Sequence, residues 1–124
     1  MPDRSLRTPA ALADAGLVPA EAAAALDAVA ARYAVTITPA IAALIDPNDL
    51  DDPIARQFVP SLAELARRRG ERADPIGDDI HSPVEGIVHR YPDRVLLKLV
   101  HVCPVYCRFC FRRAMVGPAG RPTG

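Results

Sequence analysis

The sequence predicts an α/β fold in which a mainly helical N-terminal region is followed by the first strand or strands of a (β/α) barrel. Proline-capped, alanine-rich segments dominate residues 1–70, and a polar, proline-broken connector follows at residues 71–83. Strand-like runs then lead into a loop that holds all three cysteines of the chain. Barrel enzymes carry their functional groups at the carboxyl ends of strands, so residues 84–124 are interpreted as the start of a barrel.

The predicted helices begin at capping signals. Thr8 precedes Pro9 and Thr38 precedes Pro39, which places proline at the first helical position, where its missing N–H costs nothing. Ser61 begins a capping box, after which cationic residues and a glycine end the helix. The predicted helices cover residues 10–16, 20–33, 40–45 and 61–70, and residues 46–53 are predicted to be a polar turn.

Two strand-like runs, residues 84–91 and 94–102, flank the turn residues Pro92 and Asp93. The second run is almost continuously apolar, which is typical of a strand buried on both faces of a parallel sheet. We therefore expect a buried first barrel strand that leads directly into the cysteine loop.

The cysteines Cys103, Cys107 and Cys110 are spaced C-x3-C-x2-C. This spacing allows one short loop to direct three thiolates at a cuboidal iron–sulfur cluster, leaving one iron without a protein ligand. An open coordination position distinguishes catalytic metal sites from structural ones. A zinc site with His101 as fourth ligand remains an alternative, although zinc ligands usually come in separated pairs. An odd cysteine count without a signal peptide argues against a disulfide framework.

Composition and charge limit the function further. The chain has 124 residues, half of them hydrophobic, which suits one modest domain with a core. Basic and acidic residues number 15 each, so there is no whole-chain attraction to nucleic acid or to an anionic membrane. No apolar run approaches the roughly 18 residues of a membrane span. We expect a cytoplasmic protein that binds neither nucleic acid nor membrane.

The cysteine motif resembles the radical S-adenosylmethionine (SAM) signature, in which the open iron binds the amino and carboxylate groups of SAM. Phe109 matches the aromatic residue that this superfamily packs against the adenine. Residues 74–113, from Asp74-Pro-Ile-Gly through Cys-Arg-Phe-Cys-Phe-Arg-Arg113, resemble the lysine 2,3-aminomutase family closely. The resemblance is weaker over residues 36–70 and absent from the first 35.

That resemblance implies an isomerase that uses SAM, a 4Fe-4S cluster and pyridoxal 5′-phosphate (PLP) to move an amino group from the α to the β carbon of an amino acid. The C–H bond at the β carbon is not acidic, so a base cannot break it and a radical is needed. The cofactors therefore supply the difficult chemistry.

The resemblance also implies residue roles. Cys103, Cys107 and Cys110 would bind the cluster. Arg90, Tyr91 and Arg94 would hold PLP, since guanidinium forks suit a phosphate dianion. Arg112 would pair with the substrate carboxylate, a bidentate task that lysine performs poorly.

Plainer interpretations exist for these residues. Arg90 and Arg94 would otherwise be solvated charges at strand ends. Arg108, Arg112 and Arg113 would otherwise form a basic patch for nucleic acid, but this run also recurs in the family. The three histidines, His81, His89 and His101, have no ligand pattern and are interpreted as structural.

Parts of the family pattern have no counterpart. Lys98 does not match the lysine that carries PLP, and the residues that recognise a substrate side chain are missing as well. Free L-lysine is the first choice of substrate, and a lysine of elongation factor P and glutamate remain alternatives. A barrel needs about 200 residues or more, and this chain ends at Gly124. We expect an N-terminal fragment that is inactive alone, from a homo-oligomeric parent, or alternatively a non-catalytic iron–sulfur or structural metal module.

Overall fold

Short helices precede a β-hairpin along the chain. The computed structural model describes residues 4–117. Its helices and strands are α1 (Pro9–Asp14), α2 (Ala23–Arg32), α3 (Pro39–Ala42), α4 (Pro53–Phe58), β1 (Ile87–Tyr91) and β2 (Arg94–Leu97). Single 3-10 turns lie at Ala20–Ala22, Leu62–Leu65 and Asp79–His81. This mixture of helices and a small sheet agrees with the predicted α/β class at the coarse level.

Both ends of α1 follow from local sequence. The Thr8 hydroxyl accepts a hydrogen bond from the Ala11 N–H at 3.1 Å, as the predicted cap requires. Gly16 adopts a φ of +75°, which glycine reaches without steric cost. The chain then turns back, and the Leu17 N–H donates to the Leu12 carbonyl at 2.9 Å. This Schellman-type ending satisfies carbonyls that the helix leaves free.

The hydrophobic core lies among the helices. Leu6 and Ile37 pair as an antiparallel bridge with N···O distances of 2.8 and 2.9 Å. They pack with Leu12 and Val35 into one buried cluster. Partly buried residues from α3, α4 and the neighbouring loops surround this cluster, namely Ile41, Ala42, Phe58 and Val59. The N-terminal helices therefore share one core with the segment that joins α2 to α3.

The structure corrects two helix predictions. The capping box at Ser61 is present, but only the 3-10 turn Leu62–Leu65 follows it. Residues 66–70 are all exposed, and a short helix without a buried face gains too little to form. Helix α4 was missed, although Asp52 caps it and Pro53 occupies its first position. The same capping pattern had predicted α1 and α3.

The strand predicted over residues 94–102 is shorter than expected, and the prediction that it is buried is wrong for the described residues. Strand β2 ends at Leu97, pairs antiparallel with β1, and is exposed along its length. The predicted turn at Pro92 and Asp93 is confirmed, and so short a connection joins antiparallel strands, because a parallel pair needs a crossover of a dozen or more residues. The apolar run continues to Val102 without regular structure.

None of the helices between residues 4 and 117 combines the length and the hydropathy that a membrane crossing requires.

Candidate cluster and cofactor site

The three-cysteine loop, residues 103–110, is attached to the helical region by the residues between its cysteines. Tyr106 is 5% exposed, and its N–H donates to the Thr36 carbonyl at 3.3 Å. Arg108 is also buried, and its N–H donates to the Gln57 carbonyl at 2.7 Å. Because these two residues face inward, Cys107 between them faces solvent.

A buried ion pair strengthens this attachment. The Arg108 guanidinium meets Glu64 with an Nη2–Oε1 distance of 2.8 Å and Nε at 3.2 Å from both carboxylate oxygens. The two side chains are 6% and 11% exposed. Arg108 also donates through Nη1 to the Ala34 carbonyl at 2.8 Å. Glu64 completes the capping box by accepting from the Ser61 N–H, so one carboxylate both caps a turn and holds the loop.

The three thiols are accessible. Cys103 and Cys107 are exposed, Cys110 is partly exposed, and none is in a disulfide. Within residues 4–117, however, no three His, Cys, Asp or Glu side chains are arranged to hold a metal ion, and this includes the zinc alternative with His101. The cluster assignment therefore stays a prediction. Its donor set fits the group, because three free thiols on one short loop are the ligands that iron–sulfur clusters use.

An open cleft of about 790 Å³ lies beside this loop. Cys110 and Phe109 form part of its wall, and the Phe109 ring is largely exposed. The ring is therefore accessible to a flat ligand, and its adenine-packing role remains a prediction. The cationic lining of the cleft consists of Arg32, Arg67, Arg72, Arg108 and Arg113.

Arg90 and Arg112 meet at one buried carboxylate, that of Asp78, although the sequence had suggested separate roles for them. Arg90 Nη2 lies 3.1 Å from Oδ1, and Arg112 Nε lies 2.8 Å from Oδ2. The Asp78 side chain is 5% exposed, while each arginine is about one-third exposed. Arg90 Nη2 also donates to the Ile76 carbonyl at 2.7 Å.

The electrostatics of this contact favour an ionised carboxylate. Burial alone would raise the pKa of Asp78, but the hydrogen bonds and charges of Arg112 and Arg90 outweigh burial and hold that pKa below the ordinary 3.8. The turn around Asp78 is fixed as well. The Asp74 carboxylate accepts from the Asp78 N–H at 2.9 Å, and the Ser82 hydroxyl donates to the Asp78 carbonyl at 2.8 Å.

Arg94 and Tyr91 face each other across the hairpin. They are register partners in the β1–β2 pair, and the Arg94 guanidinium lies 4.4 Å from the centre of the Tyr91 ring. The Arg94 side chain is 65% exposed and is paired only loosely with Asp93, at 3.5 Å. An exposed fork of this kind fits a phosphate dianion. Arg90, in contrast, shares no hydrogen-bond partner with Arg94 among residues 4–117.

Sequence reasoning missed the carboxylates of this site. Asp78 lies in the stretch predicted to be a connector, and Glu64 was interpreted only as a cap. Each pairs with an arginine more than thirty residues later in the chain. An excess of arginines beside the cysteines was the available signal, but it did not identify their acidic partners. Arg113, the third arginine of the run, lies 3.7 Å from Glu64 and over the Tyr33 ring.

Comparison with known proteins identifies relatives. No family model matches the chain. It is 47% identical over 83 residues to the L-lysine 2,3-aminomutase of Clostridium subterminale, covering 67% of this chain and 20% of the relative. It is 42% identical over 86 residues to the L-lysine 2,3-aminomutase of Bacillus subtilis, covering 69% and 18%. It is 37% identical over 89 residues to the glutamate 2,3-aminomutase of Clostridioides difficile, covering 72% and 21%.

These relatives are aminomutases, a class of isomerase. The chain belongs to the lysine 2,3-aminomutase family, which confirms the prediction made from residues 74–113. It spans about a fifth of the length of the curated relatives it matches.

Proposed function

We propose that this chain supplies the cluster-binding and cofactor-binding segment of a radical SAM aminomutase that converts L-lysine to L-β-lysine. The observation that carries the proposal is 47% identity over 83 residues to an L-lysine 2,3-aminomutase, found in a chain with a C-x3-C-x2-C loop. In this proposal the hairpin and residues 98–102 begin a (β/α) barrel, whose other strands cover the apolar side chains that are exposed here.

The cysteine loop would hold the cluster. Cys103, Cys107 and Cys110 provide three thiolates and leave one iron open for SAM. When bound, the cluster and SAM supply a carbon-centred radical that removes hydrogen from a non-acidic C–H bond. The protein contributes the placement of the loop. Tyr106 and Arg108 are anchored in the helical region, and the thiols of Cys103 and Cys107 beside them are exposed and accessible to a cluster.

The hairpin would hold PLP. Arg94 offers an exposed guanidinium to the phosphate, and the stacked Tyr91 limits the directions in which that guanidinium can point. Arg90 would contribute from its nitrogens that do not bond Asp78 or Ile76. When bound, PLP supplies a conjugated ring that delocalises an unpaired electron next to the migrating nitrogen.

Arg112 would hold the substrate. Its Nε donates to Asp78, while its two terminal nitrogens have no acceptor among residues 4–117. A substrate carboxylate can accept from both terminal nitrogens in the bidentate geometry that arginine favours. Asp78 holds the guanidinium of Arg112 at Nε and so fixes the direction in which its two terminal nitrogens point.

The proposal is tested in the extended protein, by which we mean this chain continued to the full length of its relatives. With cluster, SAM and PLP loaded, it should convert L-lysine to L-β-lysine. Arg112→Ala should lower turnover with iron content and PLP absorbance unchanged. Arg94→Ala should weaken PLP retention by about 1.5–3 kcal/mol, the worth of a hydrogen bond to a charged group, with iron content unchanged.

Arg56→Ala is the matched control, since Arg56 pairs with Asp51 on the exposed surface of α4, and it should match the parent in all three measurements. Loss of the cluster in Arg112→Ala, or unchanged PLP binding in Arg94→Ala, would contradict the assigned roles. A loaded extended protein that turns over neither L-lysine nor glutamate would instead favour the non-catalytic metal module.

Glutamate is the second candidate substrate, because a glutamate 2,3-aminomutase is 37% identical over 89 residues. Lysine is preferred because two L-lysine 2,3-aminomutases are 42% and 47% identical. Offering both amino acids in one reaction and separating the β-amino acid products decides between them. Predominant β-glutamate would replace lysine as the substrate without changing the reaction type.

A further inference from the structure

Asp78 occupies an unusual position between the two arginines to which different ligands are assigned. Its Oδ1 accepts from Arg90 and its Oδ2 accepts from Arg112, so each oxygen serves one guanidinium. The carboxylate itself is buried, whereas both arginines are partly exposed. Asp78 is therefore out of reach of a ligand, while the groups it holds are not.

The carboxylate is placed by its own backbone turn. Asp74 accepts from the N–H groups of Asp78 and Asp79 at 2.9 and 2.8 Å, and Ser82 donates to the Asp78 carbonyl. The turn leads into the 3-10 segment Asp79–His81, which contacts β1. A carboxylate on a fixed turn can hold flexible side chains in place. Arginine side chains otherwise sample many rotamers.

Both arginines keep N–H donors that Asp78 does not use. Among residues 4–117, Arg90 has no acceptor for Nε or Nη1, and Arg112 has none for its terminal nitrogens. Arg112 thus keeps its terminal two-nitrogen edge free, and Arg90 keeps Nε and Nη1 as separate donors that can bind an anion. Without Asp78, two cations would remain close together without the charge that compensates them.

We propose that Asp78 is a positioning residue that holds Arg90 and Arg112 at a fixed spacing, and so sets the distance between the cofactor phosphate and the substrate carboxylate. This inference rests on the proposed function, in which Arg90 contacts the phosphate and Arg112 contacts the carboxylate. Asp78 touches neither ligand, and it acts on both through the arginines.

The test uses the extended protein with PLP and L-lysine. Asp78→Asn keeps the side-chain shape but replaces one acceptor by a donor, which the arginines repel. We expect the Kd for PLP and the KM for L-lysine each to rise about tenfold, the effect of losing one hydrogen bond to a charged group. Iron content should stay at the parent level. Asp79→Asn, at the exposed neighbouring residue, is the matched control and should change neither value.

A double-mutant cycle separates positioning from general stability. In the Arg112→Ala background, Asp78→Asn should raise the KM no further, because the group through which Asp78 acts is gone. It should still weaken PLP binding through Arg90. Additive effects on the KM would overturn the inference. Asp78→Glu retains the charge one methylene farther out, so if the asparagine variant fails to fold, the glutamate variant must show both defects.

The outcomes distinguish the inference from the proposed function. If Arg90→Ala weakens PLP binding and Arg112→Ala raises the KM, but Asp78→Asn and Asp78→Glu do neither, the inference is wrong and the proposed function stands. If the two arginine variants themselves leave PLP binding and the KM unchanged, the proposed roles fail and the inference fails with them.

Discussion

The helical region and the segment that carries the cysteines differ in how far their apolar side chains are buried. In the helical region Leu12 and Ile37 are completely buried. Beyond β2, Leu99 is 80% exposed, and Val100 and Val102 are exposed as well. The helical region therefore closes its own core, whereas the segment that leads into the cysteine loop leaves its apolar side chains exposed.

This difference shows which part of the chain depends on the other. Exposed apolar side chains that lie together mark sites of contact with other protein groups, ligands or membranes. The cysteine loop contacts the helical region through hydrogen bonds of Tyr106 and Arg108 to Thr36, Gln57 and Glu64. The helical region thus serves as a base, and the loop is fastened to it at a small number of contacts.

The largest expected effect tests the contrast in burial. Leu12→Ala should lower the free energy of unfolding by about 4 kcal/mol, within the usual 2–5 for a buried leucine. Leu99→Ala, the same change at an exposed leucine, should alter it by less than about 0.5 kcal/mol. Urea unfolding of both variants in the 124-residue chain, where Leu99 is exposed, measures the difference. Equal losses would mean that the two regions are not packed differently.

The next effect concerns the attachment of the loop. Arg108→Ala should lower the free energy of unfolding by about 3 kcal/mol, because it leaves Glu64 as a buried carboxylate without its main partner. Arg56→Ala removes a comparable but exposed pair with Asp51, and it should cost less than about 1 kcal/mol. The same urea experiment compares them, and a similar cost for both would show that the Arg108 pair does not hold the loop.

A smaller effect is expected from acid. The N–H groups of Ala55, Asp46 and Ile54 donate to Asp52, the cap of α4, and hold its pKa below 3.8. A lowered folded-state pKa adds stability above the ordinary pKa, and that stability is lost as the pH falls through the folded value. The melting temperature should therefore decrease as the pH is lowered below about 4. Asp52→Asn should flatten this decline, whereas the exposed Asp14→Asn should follow the parent curve.

Local signals predicted much of the fold. Thr8, Thr38 and Ser61 cap as their sequence context requires, and Gly16 ends α1. These features depend on a few neighbouring residues, so the sequence contains what determines them. Helix length was less predictable, as the stretch after Ser61 demonstrates, because it depends on whether a tertiary partner covers one face.

The site was predictable only in part, for the same reason. Spacing alone singled out Cys103, Cys107 and Cys110, because loop ligands are close in sequence. The pairings of Asp78 and Glu64 with arginines join residues 34 and 44 positions apart. No local pattern encodes such contacts. The burial of residues 94–102 likewise depends on chain segments that would have to pack against them.

The most direct test of the account is whether the outward-facing thiols bind one four-iron cluster. The chain is reconstituted anaerobically with ferrous iron and sulfide, and its iron and acid-labile sulfide are then measured. We expect about four of each per chain, and loss of this species in Cys107→Ser, because each thiolate binds one corner and no spare cysteine exists. Full iron and sulfide in the Cys107→Ser variant, or zinc in place of iron in the parent chain, would contradict the account.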